Sequence, residues 1–407
     1  MDTQAELQQR TARLRQGTLR IRTRPNATVR VEQLGHGFEF GTPLSGRRCR
    51  QEPALGAFTA RWFNAGVVPV KWRRLEPERG KRRYDAADAT VDWCEENGFA
   101  LRGHCLFYAH RIHVQDWVRA IESDEELLSC MERQARETVG RYGRRICEYD
   151  LNNELLDGSW YRDRLGDEIL RRMADWVLEE NPEATLYVNE HDILTGGDIE
   201  PYVDLIDHLL SIGVPIGGIG VQGHLDPPFE LGRMEDALDR LAAFGLPVKV
   251  TEVDCGIKLK DERYRGVGWI EGADRDKDPE KFQKLLDNLP EDFEEQKAEA
   301  LDRFYRRAFA HPAIRGIYMW GFQEGRHWRT RGEIFRSDLT PLPAGEAYCN
   351  LVRGEWWTTE AVRADDEGFA SLRAFYGTHR ITVEENSIEV ELHPDNESRL
   401  IELADNG

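Results

Sequence analysis

From residue 38 onward the chain alternates between short apolar runs and longer amphipathic stretches. Eight runs are rich in β-branched and aromatic residues and stop abruptly at polar ones: FEFGTPL (38–44), FNAGVVPV (63–70), ALRGHCLF (100–107), RICEYDL (145–151), ATLYVNE (184–190), GIGVQGHL (218–225), PVKVTEV (247–253) and GIYMWGF (316–322). Runs of this kind fit strands buried on both faces of a parallel sheet. Between them lie helix-like stretches, the clearest being AADATVDWCEENG, SDEELLSCMERQARETVGRYG, GDEILRRMADWVLEENP, IEPYVDLIDHLLSIG, RMEDALDRLAAFG and DFEEQKAEALDRFYRRAFAHP. Several open on Asp or Ser and close on Gly or Pro, the residues that cap and end helices. Strand alternating with helix predicts a parallel sheet with right-handed crossovers. Eight such units predict an α/β fold closed into a (β/α)8 TIM barrel. An open doubly wound sheet is the rival, but no GxGxxG follows the first strand.

The two ends of the chain follow another rule. Residues 4–16 predict a short helix, and TLRIRT and ATVRVEQL then alternate with period two, like edge strands. Past GEWWTT the same alternation returns in FASLRAFYG, HRITVEE and SIEVELH, with no helix between them. The reading is therefore a helix/β extension over 1–35, a barrel over 36–354 and a small β module over 355–407. The stretch 255–293 is charged and rich in Gly and Asp, and reads as an active-site loop between the seventh and eighth strands.

Two glutamates stand at strand ends. Glu154 closes ICEYDLNNE, and Glu252 lies in VKVTEV. The carboxyl ends of barrel strands are where such folds carry their active sites. Two carboxylates there are what glycoside hydrolysis needs: one protonates the leaving oxygen, the other attacks the sugar or activates water. Either glutamate alone reads equally well as a solvated strand end.

Composition narrows the partners. The 407 residues suffice for one large domain and a small module. A net charge of −19 argues against duplex nucleic acid. No stretch is long and apolar enough to cross a membrane, and MDTQAELQQRTARLRQ has no apolar core of a leader. The expectation is a cytoplasmic protein, or one whose leader has been removed. The seven cysteines show no CxxC and no metal spacing, which favours buried reduced thiols over a disulfide framework.

The segments KWRRLEPERG, ADATVDWCEENG, LRGHCLFY, YDLNNE, LYVNE, GIGVQGHL, VKVTEVD and MWGFQEGRHWR, in that order, resemble glycoside hydrolase family 10, the retaining endo-β-1,4-xylanases. The resemblance runs from about Phe38 to Tyr348. It implies a glycosyl-enzyme mechanism with Glu154 as acid/base and Glu252 as nucleophile. By the same likeness Asn153 bonds the sugar 2-hydroxyl, His224 bonds the nucleophile and Asp254 orients His224. Gln222, two residues before His224, points to the same side of its strand. Lys71, His104, Trp320 and Trp328 match residues that line the subsite of the sugar to be cleaved, and Asn189 matches a supporting residue. The implied substrate is xylan or a xylo-oligosaccharide, with no metal or organic cofactor. Two rivals stay open: a hydrolase of another β-linked glycan or glycoside, and a sugar-binding barrel that has lost turnover.

This chain also departs from the family pattern. FNAGVVPVKW is about two residues short and lacks the usual Glu-Asn pair, leaving Val68 and Pro69 nearby. That pair grips the next sugar on the non-reducing side, so a changed substrate length or identity is expected. Tyr108 replaces a tryptophan, and Gln323-Glu324 replaces a more acidic pattern.

Overall fold

The computed structural model describes residues 3–226, 231, 233–256, 289–396 and 398–403. The chain opens with the helix Gln4–Arg15 and the strands β1 (Gln16–Arg22) and β2 (Thr28–His36). Eight strands follow: β3 (Glu39–Pro43), β4 (Ala65–Pro69), β5 (Ala100–His104), β6 (Glu148–Asn153), β7 (Thr185–Glu190), β8 (Gly218–Leu225), β9 (Val248–Cys255) and β10 (Ile314–Met319). The last five are β11 (Thr359–Arg363), β12 (Phe369–Phe375), β13 (Gly377–Val383), β14 (Asn386–Leu392) and β15 (Ser398–Glu402).

Strands β3 to β10 close into a barrel in sequence order, with β10 returning to β3. Their pairing is parallel. The eight apolar runs thus form the eight strands, and the six amphipathic stretches form the helices Asp85–Glu96, Asp124–Tyr142, Glu168–Glu180, Glu200–Ser211, Met234–Ala242 and Phe293–Phe309. Local chemistry sets their limits. Ser123 caps the helix Asp124–Tyr142 by accepting from the Glu126 N–H at 3.2 Å, and Gly143, at φ +49°, ends it.

Side chains fill the barrel, as a core of this kind requires. Lys249 pairs with Glu148 and lies over the rings of Tyr187 and Tyr318, at 5.6 and 5.8 Å from their centroids. Glycine makes room for those rings. A Cβ on Gly41 would sit 2.1 Å from Tyr318, and one on Gly218 2.2 Å from Tyr187.

A second compact unit comprises 1–39, 302–312 and 346–407. Here β1 lies between β12 and β15, and β2 between β11 and β13, which also pairs with β14. The sequence suggests a 1–35 extension and a separate 355–407 module; instead, strands from both ends share two sheets. Leu19, Ile21, Val29 and Val31 pack in one apolar cluster with Leu372, Ile381, Val390, Leu392 and Ile401. Cys49, Cys94, Cys105, Cys130 and Cys255 are buried thiols, whereas Cys147 is exposed. Of the stretch read as an active-site loop, 257–288 lies outside the described residues.

Candidate active site

The carboxyl ends of β6 to β9 bring most of the sequence-predicted polar residues together. Two bulges set their aim. The β6–β7 register slips between Asp150 and Asn152, which places Asn153 opposite Asn189. The β8–β9 register slips between Val221 and Gln222, which places Gln222 opposite Glu252 and His224 opposite Asp254. A bulge redirects the side chains after it, and such bulges gather beside active sites.

Glu154 follows β6 directly and is 7% exposed. Its φ of +52° lies in the left-handed region, costly for a residue with a Cβ. The Glu154 N–H donates to the Asn189 carbonyl at 2.8 Å, and the Asp157 and Gly158 N–H groups donate to the Glu154 carbonyl, both at 3.2 Å, so hydrogen bonds hold this geometry. Its carboxylate accepts from the Tyr108 hydroxyl and, at 2.9 Å, from Gln222 Nε2. Burial first, then the charge of Glu154, pushes the Tyr108 phenol well above its ordinary value and keeps it a donor. Tyr108 also stacks on His113, with ring centroids 4.0 Å apart.

Glu252 is equally enclosed, at 4% exposure. Its Oε1 accepts from Asn189 Nδ2 at 3.2 Å, and His224 Nε2 lies 3.4 Å from its Oε2. Asn189 is the junction of the site. The same amide nitrogen donates to Asn153 Oδ1 at 2.9 Å, and its oxygen accepts from Thr251 Oγ1 at 2.6 Å.

His224 sits between two carboxylates, with Nδ1 3.0 Å from Asp254 Oδ2. Burial works against a charge on the ring, but Asp254 and then Glu252 outweigh it and hold the imidazole up at about 9. Asp254 is fully buried. Burial opposes its charge, but His224 and then Arg329 hold its carboxyl well below the usual carboxylate range. Arg329 Nη1 donates to it at 2.7 Å and Trp328 Nε1 at 3.0 Å. Trp328 thereby meets the His224 ring edge-on, centroids 5.0 Å apart.

Lys71, His104, Trp320 and Trp328 line one cavity of about 590 Å³. Lys71 lies over the Tyr108 ring, 5.2 Å from its centroid. His104 meets the Trp320 ring edge-on at 5.2 Å, and its Nδ1 is 2.8 Å from Asp150 Oδ2. Asp150 is also the partner of Arg102, and both side chains are buried.

Sequence reasoning gave no role to Arg102, Asp150, Glu190, Thr251 or Arg329. Asp150 and Arg102 stand inside the quoted motifs YDLNNE and LRGH, and Arg102 is two residues from His104, hence on the same side of its strand. Arg329 follows Trp328 directly, with no periodic pattern to mark it. Among the described residues, no cluster of three or more His, Cys, Asp or Glu is placed to hold a metal ion.

Known proteins are similar to this chain in sequence and in fold. A family profile described as glycosyl hydrolase family 10 matches residues 31–350. The anti-sigma-I factor RsgI6 of Acetivibrio thermocellus is 31% identical over 361 residues, 88% of this chain and 42% of that protein. Endo-1,4-beta-xylanase 2 of Arabidopsis thaliana is 30% identical over 364 residues, 88% of this chain and 31% of that protein. The chain thus spans about a third to under half the length of these relatives. Among solved structures, a GH10 endoxylanase from a sugarcane soil metagenome is similar at TM-score 0.65 and 25% identity, covering 77% of this chain and 97% of that one. Xylanase 10B of Thermotoga petrophila, solved with xylobiose, has the same fold at TM-score 0.62 and 23% identity, covering 78% and 94%. With the barrel, its motif order and a profile spanning all eight strands in agreement, the chain belongs to glycosyl hydrolase family 10.

Proposed function

We propose that this chain is a retaining β-glycoside hydrolase that cleaves β-1,4-xylan or xylo-oligosaccharides, with Glu252 as nucleophile and Glu154 as acid/base. The observation that carries the reading is the unlike setting of the two buried carboxylates. Glu252 faces an imidazole held by Asp254, whereas Glu154 accepts from a phenol and an amide. Pairs of carboxyl groups in different environments are how such enzymes divide the labour. Xylobiose in a solved relative and the xylanase names of several relatives support the substrate class.

In the first step a Glu252 carboxylate oxygen bonds to the anomeric carbon. The glycosidic C–O bond breaks, and its oxygen takes the proton of Glu154. His224 and Asn189 hold Glu252 in line for the attack. Asn153, whose Oδ1 is engaged by Asn189, keeps its amide nitrogen for the sugar 2-hydroxyl. In the second step Glu154 takes a proton from water as the water oxygen displaces Glu252. Trp320 and Trp328 wall the sugar ring, and Lys71 and His104 supply hydroxyl partners.

The test is hydrolysis of xylan and short xylo-oligosaccharides by the parent and by Glu252→Ala, with products followed by chromatography. The parent releases shorter oligosaccharides, and the variant is slower by about three orders of magnitude or more. Equal rates in both would remove Glu252 from the mechanism. No turnover by the parent would leave a binding barrel.

A further inference from the structure

His327 stands in the motif MWGFQEGRHWR and has no part in the chemistry described so far. It precedes Trp328 and Arg329, which both donate to Asp254. Its side chain is only 1% exposed, and its ring is closely seated. A Cβ on Gly332 would lie 2.3 Å from the ring Cε1, and one on Gly321 3.1 Å from Cδ2, so glycine leaves the room that the imidazole fills. The segment around the ring is anchored. Arg329 Nη2 donates to the Gly256 carbonyl at 2.8 Å and also binds Asp226. The buried Lys297 ammonium donates to the carbonyls of Arg331 at 3.0 Å and Glu333 at 2.9 Å.

The two ring nitrogens of His327 are unlike. The Arg329 N–H points at Nδ1 from 3.0 Å, which leaves no room for a second hydrogen there. The ring proton therefore sits on Nε2. Among the described residues, Nε2 has no hydrogen-bond partner. A buried donor without an acceptor is costly, and native structures rarely keep one. An acceptor stands 3.7 Å away, Asp254 Oδ2. The same oxygen has His224 Nδ1 at 3.0 Å, so it lies between two imidazoles. Their charge states differ. His224 holds its proton up to about 9, whereas burial pushes His327 down to about 4 against the pull of Asp254. His327 is therefore neutral at neutral pH.

Resting on the hydrolase reading above, we propose that His327 is a positioning residue for the nucleophile: its Nε2–H draws Asp254 Oδ2 into place, and Asp254 in turn holds His224 against Glu252. At 3.7 Å the attraction is electrostatic, and burial away from water strengthens it. Substrate binding closes it to a hydrogen bond, as catalytic hydrogen bonds tighten in the complex. A neutral donor suits this place. A second imidazolium beside His224 and Arg329 would set three cations around one carboxylate, whereas the neutral N–H adds a donor and no charge.

The experiment compares side chains of matched reach in the full chain. Gln places an N–H near the Nε2 position, Met has the same length without a donor, and Asn replaces Nδ1 but stops short of Asp254. His327→Gln keeps kcat on xylo-oligosaccharides within about threefold of the parent, whereas His327→Met and His327→Asn lose about ten- to a hundredfold with KM little changed. Nitrogen NMR of isotope-labelled histidines, followed against pH, reads His224 without turnover. That ring faces Asp254 and Glu252 of β9 and the Trp328 ring, with His327 and Arg329 across Asp254. With the His327 donor gone, Asp254 gives more of its charge to His224, so the His224 titration moves to higher pH in the Met and Asn variants and stays in place in the Gln variant. Equal kcat in the Gln and Met variants overturns the proposal, since the ring then only fills space. An Asn variant faster than the Gln variant also overturns it, since the ring then only anchors the Arg329 N–H. So does a His224 titration that is the same in the parent and every variant. If the parent hydrolyses nothing, the hydrolase reading fails alone, because the His224 titration still decides whether His327 acts on Asp254.

Discussion

Glu190 ends β7, is 2% exposed, and accepts the Leu156 N–H at 2.9 Å. It therefore holds the backbone just past Glu154. Burial, with a smaller push from Glu154, raises its carboxyl to about 8. The sign follows. An unfolded glutamate ionises near pH 4.3, whereas the folded one keeps its proton to about 8. Between these values the unfolded state sheds a proton the folded state retains, so native stability falls as pH rises through that window. Glu190→Gln keeps the shape and the acceptor without the ionisation. Its stability relative to the parent should climb from about pH 4.5 to 8 and level off above, by on the order of 3 kcal/mol at pH 7. Thermal melting across that range checks it, and a difference flat with pH would refute the assignment. Glu190 is present in the motif LYVNE, yet strict alternation turns it away from Asn189. Its burial depends on a chain segment 34 residues distant, which no local pattern encodes.

Strand register is where period-two reasoning stops. Counting along β6, Glu148, Asp150 and Asn152 share a face, and Asn153 takes the other. The slip after Asp150 undoes this and sets Asn153 against Asn189. The strands, their order and both glutamates were legible because apolar runs and motif order are local. The bulges were not, because an extra residue leaves no mark in composition. What the register demands of its neighbours can be tested at Gly220 on β8. A Cβ there would lie 2.7 Å from Asn189 Oδ1 and 3.1 Å from Arg102 Nη2. Both groups are tied into buried networks, so neither can swing aside freely. Gly220→Ala should displace the Asn189 amide from Glu252 and Asn153, lowering kcat by roughly ten- to a hundredfold with a stability loss of about 1–3 kcal/mol. Gly35→Ala, whose Cβ meets only Thr378 Oγ1 at 3.9 Å, should leave both unchanged. Steady-state kinetics and melting of the pair decide it, and unaltered kcat in Gly220→Ala would show that Asn189 adapts.

At the scale of the whole molecule, the ends of the chain depend on one another. Among the described residues, strand β1 pairs with β12 and β15, and β2 with β11 and β13. These described partners of the two N-terminal strands all come from residues 359–402. Pairings such as Leu19↔Leu372 or Val31↔Ile381 join positions about 350 apart, so the sequence presents them as two separate alternating patches. A chain ending at Thr358 keeps Leu19, Ile21, Val29 and Val31 but loses the side chains that cover them. A fully buried aliphatic side chain contributes about 1.5–3 kcal/mol. Uncovering these four, together with the loss of their strand partners, removes an amount comparable to the roughly 5–15 kcal/mol that stabilises a typical domain. The unpaired backbones of β1 and β2 then become open edges, a template for association between chains. The truncated protein should bind a hydrophobic dye strongly and elute as aggregate in gel filtration. Adding a separately produced 359–407 segment during refolding should restore a monodisperse product, because the parallel β1–β15 and antiparallel β2–β13 pairings need no covalent link to form. A truncated chain that stays monomeric and dye-silent would mean that the N-terminal strands find other cover, and that the two sheets add little to what keeps the protein folded.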